Sequence, residues 1–308
     1  QGGRHGAHGH GAHGHAPMLG QGRAFAVGAA VNLAFVAVQV GFGLAANSMA
    51  LLADAVHNFA DVVALLLAWG AVWLGQRPPT SRRTYGWGRS SILAALANAM
   101  VLLIGVGAIG IEALRRLAEP QPVAALTVML VAAAGIVVNG GSALLFLRDR
   151  EHDLNIRAQF LHLAADALVS LGVVAAAVAI HFTGLLWLDP VASLAIGAAI
   201  VAGTWGVLRH AMDMAMDAVP AGVAHDAVQD WLAGLPGVVE VHDLHIWARS
   251  TTETALTAHL VYADEHSDRR LHDVSTELGR RFGIGHATQQ VESDADAALC
   301  RLRPNDVV

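Results

Sequence analysis

His57-Asn58-Phe59-Ala60-Asp61 and His162-Leu163-Ala164-Ala165-Asp166 are two copies of one pattern, each set inside a long apolar run. Residues four apart on a helix lie on the same face, one turn above the other. Each copy therefore points an imidazole and a carboxylate in one direction. Two such helices face to face present two nitrogen and two oxygen ligands, a set that suits tetrahedral zinc. Ionisable groups are costly in hydrocarbon, and inside a span they mark an ion pathway. A lone intramembrane His or Asp is usually a packing or hydrogen-bonding residue; two His-x-x-x-Asp copies in separate runs are more than packing requires. Asp54 lies one turn before His57 on nearly the same face. Two roles fit it: a partner that fixes the imidazole tautomer, or a proton acceptor.

The runs around these motifs set the fold class. A membrane span needs about 20 mostly apolar residues, and six stretches qualify, near 24–46, 48–75, 90–117, 122–147, 154–182 and 188–210. Polar punctuation separates them: Asn47-Ser48, Arg77-Pro78-Pro79 with Arg82-Arg83, Glu119-Pro120-Gln121-Pro122, Arg148-Asp149-Arg150-Glu151, and Thr183-Gly184 with Asp189-Pro190. Arginines in short loops set orientation. The second link carries Arg77, Arg82, Arg83 and Arg89, and the fourth carries Arg148, Arg150 and Arg157. Only the third link, with Arg115 and Arg116, disagrees. The even span count then puts the N- and C-termini together in the cytoplasm. Small residues crowd the third span (Gly105, Gly107, Gly110) and the fourth (Gly135, Gly140, Gly141). They read as close helix packing that permits sliding, or as generic membrane packing.

Composition agrees. The 308 residues are 55% hydrophobic and 14% charged, whereas a soluble domain has roughly a quarter charged residues. The net charge of −6 and the lack of a basic, aromatic-rich tract give no nucleic-acid interface. All basic side chains other than His are Arg, a bias of genome composition rather than mechanism. A single cysteine, Cys300, excludes an intramolecular disulfide framework. Residues 1–23 form a Gly/Ala/His tail with His5, His8, His10, His13 and His15, expected to be disordered and weakly metal-binding. The first apolar run follows this tail and leads into further runs, so no cleaved signal peptide is expected.

The membrane part is expected over 24–212 and a soluble domain over 213–308. Val223 to Leu235 is an amphipathic helix; Val238 to Ala248 and Glu253 to Tyr262 alternate like strands; Asp268 to Phe282 is a helix and Ala287 to Glu292 a third strand. The order α-β-β-α-β suggests a two-layer sandwich with helices on one face of a sheet.

An ordered set of motifs now resembles the cation diffusion facilitator family of zinc transporters, from about residue 24 to the end. Ser48-Met49-Ala50-Leu51-Leu52-Ala53-Asp54 runs into His57 and Asp61, and Tyr85-Gly86-Trp87-Gly88-Arg89 opens the third span. Phe160-Leu161-His162 leads to Asp166, His242-Asp243-Leu244-His245-Ile246-Trp247 follows, and then Leu256-Thr257-Ala258-His259-Leu260. The resemblance implies an α-helical membrane protein with six transmembrane helices and a C-terminal α+β, metallochaperone-like (ferredoxin-like) cytoplasmic domain. It implies a homodimer in a bacterial inner membrane, exporting divalent metal in exchange for protons, and no enzyme activity. Its transport-site residues fall on His57, Asp61, His162 and Asp166. The His form at the first position is associated with zinc preference, with cadmium and cobalt as further passengers.

A cytoplasmic zinc site in relatives falls here on His242, His259, His286 and Glu292, with His245, His272 and Cys300 as weaker candidates. Some relatives bind metal between spans two and three, but Thr80 to Gly88 contains neither His nor Asp, and no metal is assigned there. A basic residue matching Arg89 approaches an acid near the end of span six, for which Asp217 is the candidate; otherwise Arg89 anchors span three at the headgroups. Trp247 reads as core or interface packing. Two other functions fit parts of the pattern. A membrane-bound zinc sensor would use the soluble site without flux, and a metallo-hydrolase would need an open coordination position and a general base. Four ligands within the spans argue against both.

Overall fold

The computed structural model describes residues 22–145, 154–263 and 268–303. Six long helices come first: α1 (Gly22–Ala45), α2 (Met49–Gly75), α3 (Ser90–Ala118), α4 (Ala125–Leu145), α5 (Leu154–Thr183) and α6 (Leu188–Ala215). By length and composition, α2 to α6 can each cross a membrane, and α1 adds a shorter apolar helix over Ala30–Ala45. The tail before residue 22 and the Arg148 to Glu151 link lie outside the described residues. Helix α1 already begins at Gly22, just inside the stretch expected to be tail. The sixth helix runs five residues beyond the expected end. Arg209 and His210 do not stop it, and Met214 in its last turn packs on Ile92 and Ala248.

The helices share one apolar core. Ala50, Leu51, Ala53 and Ala60 of α2 meet Leu102 and Val106 of α3, with Val128 and Ala132 of α4, Val173 and Ala177 of α5, and Ile196 and Ile200 of α6. Close approach is specified at only some of the glycines singled out above. A Cβ on Gly105 would lie 2.8 Å from Val56, beside the first motif, and one on Gly135 would lie 3.0 Å from Ser170 Oγ. Gly107, Gly110 and Gly141 face open space, and Gly140 makes only ordinary contact.

One end of the bundle is held by a buried carboxylate. Ser48 caps α2, its Oγ accepting from the Leu51 amide at 3.2 Å. The same hydroxyl donates to Asp189 Oδ1 at 2.5 Å, and the Met49 and Ala50 amides donate to Asp189 at 2.6 and 3.4 Å. Orphan amides and the positive end of the helix dipole favour a carboxylate there. Asp189, in the first turn of α6, therefore fastens α6 to the start of α2. At the same end Arg116 reaches Glu112 Oε1 (3.1 Å) and the carbonyl of Asn47 (2.9 Å). Arg116 is thus held by local partners, whereas Arg115 stays exposed with Glu112 at 3.7 Å.

The remaining elements are α7 (His225–Ala233), β1 (Val238–Ala248), β2 (Thr254–Tyr262), α8 (Asp268–Phe282), β3 (Ile284–Glu292) and the single turn α9 (Asp294–Ala297). This is the expected α-β-β-α-β order, with β3 starting earlier than its alternation suggested. The sheet order is β1-β2-β3, with β1 antiparallel and β3 parallel to the central β2. Val228 and Leu232 of α7 and Val274 and Leu278 of α8 pack on Ile246, Leu256, Ala258 and Leu260, so both helices cover one face. Alternation then sends His259, between Ala258 and Leu260, to the other face.

Replacing Asp189 by Ala strands three donors that are buried at the start of α2. Loss of charge-assisted hydrogen bonds at a buried site costs about 3 kcal/mol. D189A is therefore expected to lower the apparent melting temperature of the detergent-solubilised protein well below wild type, as read by fluorescence-detected gel filtration after heating; an unchanged value would mean the carboxylate is not the fastening.

Candidate metal sites

The two membrane motifs meet. His57 and Asp61 sit one turn apart on α2, and His162 and Asp166 one turn apart on α5. His57 Nε2 lies 3.0 Å from Asp166 Oδ1 and 4.0 Å from Asp61 Oδ2. His162 Nε2 lies 3.6 Å from Asp61 Oδ1 and 3.6 Å from Asp166 Oδ2. A tetrahedral zinc with bonds of about 2.0–2.1 Å has ligand–ligand edges of about 3.3 Å. The four inter-ligand distances bracket that edge, and the imidazoles stand edge-to-face with centroids 6.3 Å apart. The ring of His162 is the outermost member, 42% exposed against 5% for Asp166. His57, Asp61 and Asp166 form the tightest group, and His162 stands slightly apart from it.

A polar surround holds α2 in place. Asp54 is fully buried and accepts from Gln39 Nε2 on α1 (2.8 Å) and Ser170 Oγ on α5 (3.1 Å) through one oxygen. Asn58 in turn donates to Gln39 at 2.9 Å. Asp54 makes no hydrogen bond to His57, so among the described residues it ties helices together and does not set the tautomer. Its other oxygen and His57 Nδ1 are both buried without a hydrogen-bond partner. A cavity of about 370 Å³ adjoins the ligands; Asp61, His162 and Asp166 line it with Asn32 and Asn139. It gives a charged, hydrated ion a polar approach.

The soluble domain forms a second cluster. His242 on β1 and His259 on β2 are direct cross-strand partners, with ring centroids 5.1 Å apart. Glu292, ending β3, reaches both: Oε1 is 3.0 Å from His259 Nδ1 and Oε2 is 3.4 Å from His242 Nε2. Cys300 Sγ is 3.6 Å from His259 Nδ1. Both ring nitrogens of His242 and one oxygen of Glu292 are buried without hydrogen bonds. Buried polar atoms left unpaired are costly, and two imidazoles, a carboxylate and a thiol fit a zinc ion, which would satisfy them. Arg303 holds Glu240 by two hydrogen bonds of 3.0 and 2.7 Å, which keep its carboxyl below the usual range. Glu240 thus stays anionic 3.5 Å from His242 Nδ1.

His286 does not join this cluster. It pairs with Ala255 on the β2–β3 ladder, six residues before Glu292. Six residues of strand span about 20 Å, so it cannot reach the other three within one protomer. Its ring packs instead on Tyr85, 5.5 Å between centroids. His245 contacts Asp243 at 2.8 Å, and His272 lies exposed on α8. The place of Cys300 depends on α9, which the strand and helix patterns missed. The signal was Ser293-Asp294-Ala295-Asp296, a cap that turns the chain back; Ser293 Oγ accepts from the Asp296 amide at 3.2 Å. Arg89 and Asp217 do form an ion pair.

Two family models match the chain: "Cation efflux transmembrane domain" over residues 25–214 and "Cation efflux protein, cytoplasmic domain" over residues 220–294. The chain belongs to the cation efflux family. The resemblance read from the motifs, and the multi-span membrane architecture, are thereby shown. "Metal cation efflux system protein CzcD" of Cupriavidus metallidurans is 34% identical over 91% of this chain and 90% of its own length. "Zinc transporter ZitB" of Pectobacterium atrosepticum is 34% identical over 85% of this chain and 82% of its own. "Cadmium, cobalt and zinc/H(+)-K(+) antiporter" of Bacillus subtilis is 32% identical over 84% and 86%. A family of efflux transporters fits a pair of His-x-x-x-Asp helices that meet inside the apolar core.

His259 contacts Glu292, Cys300 and Asp243; Cys300 Sγ contacts His259 and lies within 4.8 Å of the ligand atoms of His242 and Glu292. In a full-length chain whose membrane site is disabled by D61A and D166A, H259A is expected to abolish the remaining micromolar zinc binding in equilibrium dialysis. C300A should weaken it by only about tenfold. Equal losses would place the thiol on a par with the imidazole.

Proposed function

We propose that this chain exports divalent metal from the cytoplasm in exchange for protons, with zinc as its main substrate and cadmium or cobalt as further passengers. It works as a homodimer in a bacterial inner membrane, with both termini and the soluble domain in the cytoplasm. The His57–Asp166 contact of 3.0 Å, joining two helices at a four-residue N₂O₂ set, carries this reading. His57, Asp61, His162 and Asp166 are the transport ligands.

Imidazole and carboxylate must both give up protons to bind metal. Loading from the cytoplasm therefore releases protons there, and reprotonation from the far side expels the metal. A site near the bilayer midplane that opens alternately to each side couples the two. The His57 contact with Asp166 supports a state in which imidazole and carboxylate of the two helices pair with each other. Export of a doubly charged ion against about 100 mV costs about 4.6 kcal/mol, and one entering proton returns about 2.3 kcal/mol. One-for-one exchange then needs a pH gradient or an excess of cytoplasmic zinc. The names of the relatives, which include zinc transport and a metal/proton–potassium antiporter, support both substrate class and coupling.

A regulatory use of the soluble cluster is favoured by the unpaired nitrogens of His242. Zinc held by His242, His259 and Glu292, with Cys300, would compensate charge between the strands and let two domains approach. Cytoplasmic metal would then bias the helices they carry.

Flux into proteoliposomes under an imposed pH gradient tests the transport reading. D166A should abolish zinc flux while the protein still inserts and dimerises; normal flux would remove the ligand assignment. Selectivity gives a separate test. H57D should keep transport and shift preference towards cadmium, because an oxygen ligand weakens discrimination for zinc's nitrogen-rich set. Unchanged relative rates for the two metals would show that His57 does not set selectivity.

A further inference from the structure

The connection between α2 and α3 builds a groove that metal transport does not use. Its volume is about 800 Å³, within the range of about 300–1,000 Å³ for pockets that hold small molecules. The walls are apolar, with Leu66 and Leu74 from α2 and Leu93 from α3. The rim is cationic, with Arg82, Arg83, Arg89 and Arg249. From Gln76 to Ser90 the connection contains four arginines and no acid. Arg89 is paired with Asp217, and Arg249 lies 3.2 Å from Glu253. Among the described residues Arg82 and Arg83 meet no carboxylate, and both are exposed. Arg83 lays its guanidinium face over Trp87 at 3.9 Å. A guanidinium stacked in this way keeps its in-plane N–H fork free for two phosphate oxygens.

Depth is marked independently by the aromatic residues. Trp69 and Trp73 are both more than half exposed (62% and 53%) at this end of α2. Exposed Trp and Tyr gather at the headgroup level of a bilayer. The arginines therefore stand at the height of lipid phosphates, and the leucines at the height of acyl chains. Basic pockets between membrane helices on the cytoplasmic side are suited to anionic headgroups.

We infer that this groove is a binding site for one anionic glycerophospholipid, its phosphate held by Arg82 and Arg83 and its acyl chains lying between α2 and α3. The cytoplasmic orientation proposed above bears only on which leaflet supplies the lipid. A zwitterionic choline headgroup fits less well, since it brings a cation to a rim with no free acid. The lipid would touch three parts at once. Leu66 lies on the same helix as Asp61, just over one turn further on; the arginines lie in the connection; Trp247 and Arg249 come from the soluble domain. A bound lipid would thus join the metal-carrying helix to the domain that senses cytoplasmic metal.

The test uses the full chain in nanodiscs of mixed phosphatidylglycerol and phosphatidylcholine, with lipid retained after extraction counted by native mass spectrometry. Wild type should keep one phosphatidylglycerol per protomer. Each arginine near an anionic surface is worth about fivefold, so R82Q with R83Q should weaken retention about thirty-fold. G70L leaves every arginine in place and fills the acyl space, because a Cβ there meets nothing within 4 Å; it should displace the lipid too. Zinc flux by both variants in phosphatidylcholine alone reports that they fold, and it separates a failure here from a failure of the transport reading. Equal retention of phosphatidylcholine, unaltered retention in both variants, displacement by millimolar inorganic phosphate, or a G70C cross-link between protomers that is indifferent to lipid would each overturn the assignment.

Discussion

The contact between His57 and Asp166 is the one that joins the two halves of the membrane site. A carboxylate or imidazolium alone in hydrocarbon is costly, and pairing across two helices removes most of that cost. The pairing needs α2 and α5 to approach, and beside the motifs each of them is packed closely by a neighbour, α3 on α2 and α4 on α5. Gly105 admits Val56, the residue before His57, and Gly135 on α4 admits Ser170, one turn past Asp166. Ser170 and Gln39 then share one oxygen of Asp54, binding α1 and α5 to α2 behind the site. Polar groups that look out of place in apolar helices thus form two adjacent sets, the Gln39–Asp54–Ser170 hydrogen bonds and, beside them, the His/Asp cluster.

Helix α2 is common to every functional part. Its first turn is fastened to α6 by Asp189, its middle carries His57 and Asp61, and its last turns border the arginine-rimmed groove. Past that groove the soluble domain meets the membrane domain at several points. Ile92, Met214 and Ala248 form a small apolar cluster, Arg89 pairs with Asp217, and the Thr251 amide donates to Ser91 Oγ at 3.1 Å. A Cβ on Gly88 would lie 2.9 Å from the Arg249 carbonyl, so the backbones there are in close approach. These contacts come from the start of α3 and the end of α6, both of which share the apolar core with α2.

Much of this was legible in the sequence, for identifiable reasons. Long apolar runs with polar breaks give the six helices, and period-two alternation gives β1 and β2. Four residues of spacing put each membrane His over its Asp. What escaped was whatever depends on where separate elements meet. His286 looked equivalent to His242 and His259, yet the parallel register places it six residues from Glu292 and against Tyr85. Cys300 looked isolated, because its approach to His259 needs the turn of α9. Gln39 is one polar residue in an apolar run, and only the meeting of α1 with α2 shows that it bonds Asp54. Arg116 read as a loop charge, and only the meeting of α3 with the start of α2 shows its bond to the Asn47 carbonyl.

The two clusters differ in a way that fits different kinetic duties. The soluble one is nearly closed: His242, His259 and Glu292 are 2%, 9% and 5% exposed, and its ligands come from three strands of one sheet held by backbone hydrogen bonds. A set of this kind is built on fixed backbone and shut off from solvent. The membrane set joins two helices with no sheet between them, and its His162 faces a cavity at 42% exposure. One ligand that can swing away lowers the barrier to release, because a zinc ion with three protein ligands readily takes water in the fourth position. Transport needs a site that binds and then lets go. Among the four candidate ligands the exposed imidazole on α5 is the one with room to move, and His57 and Asp166 are the more deeply set pair.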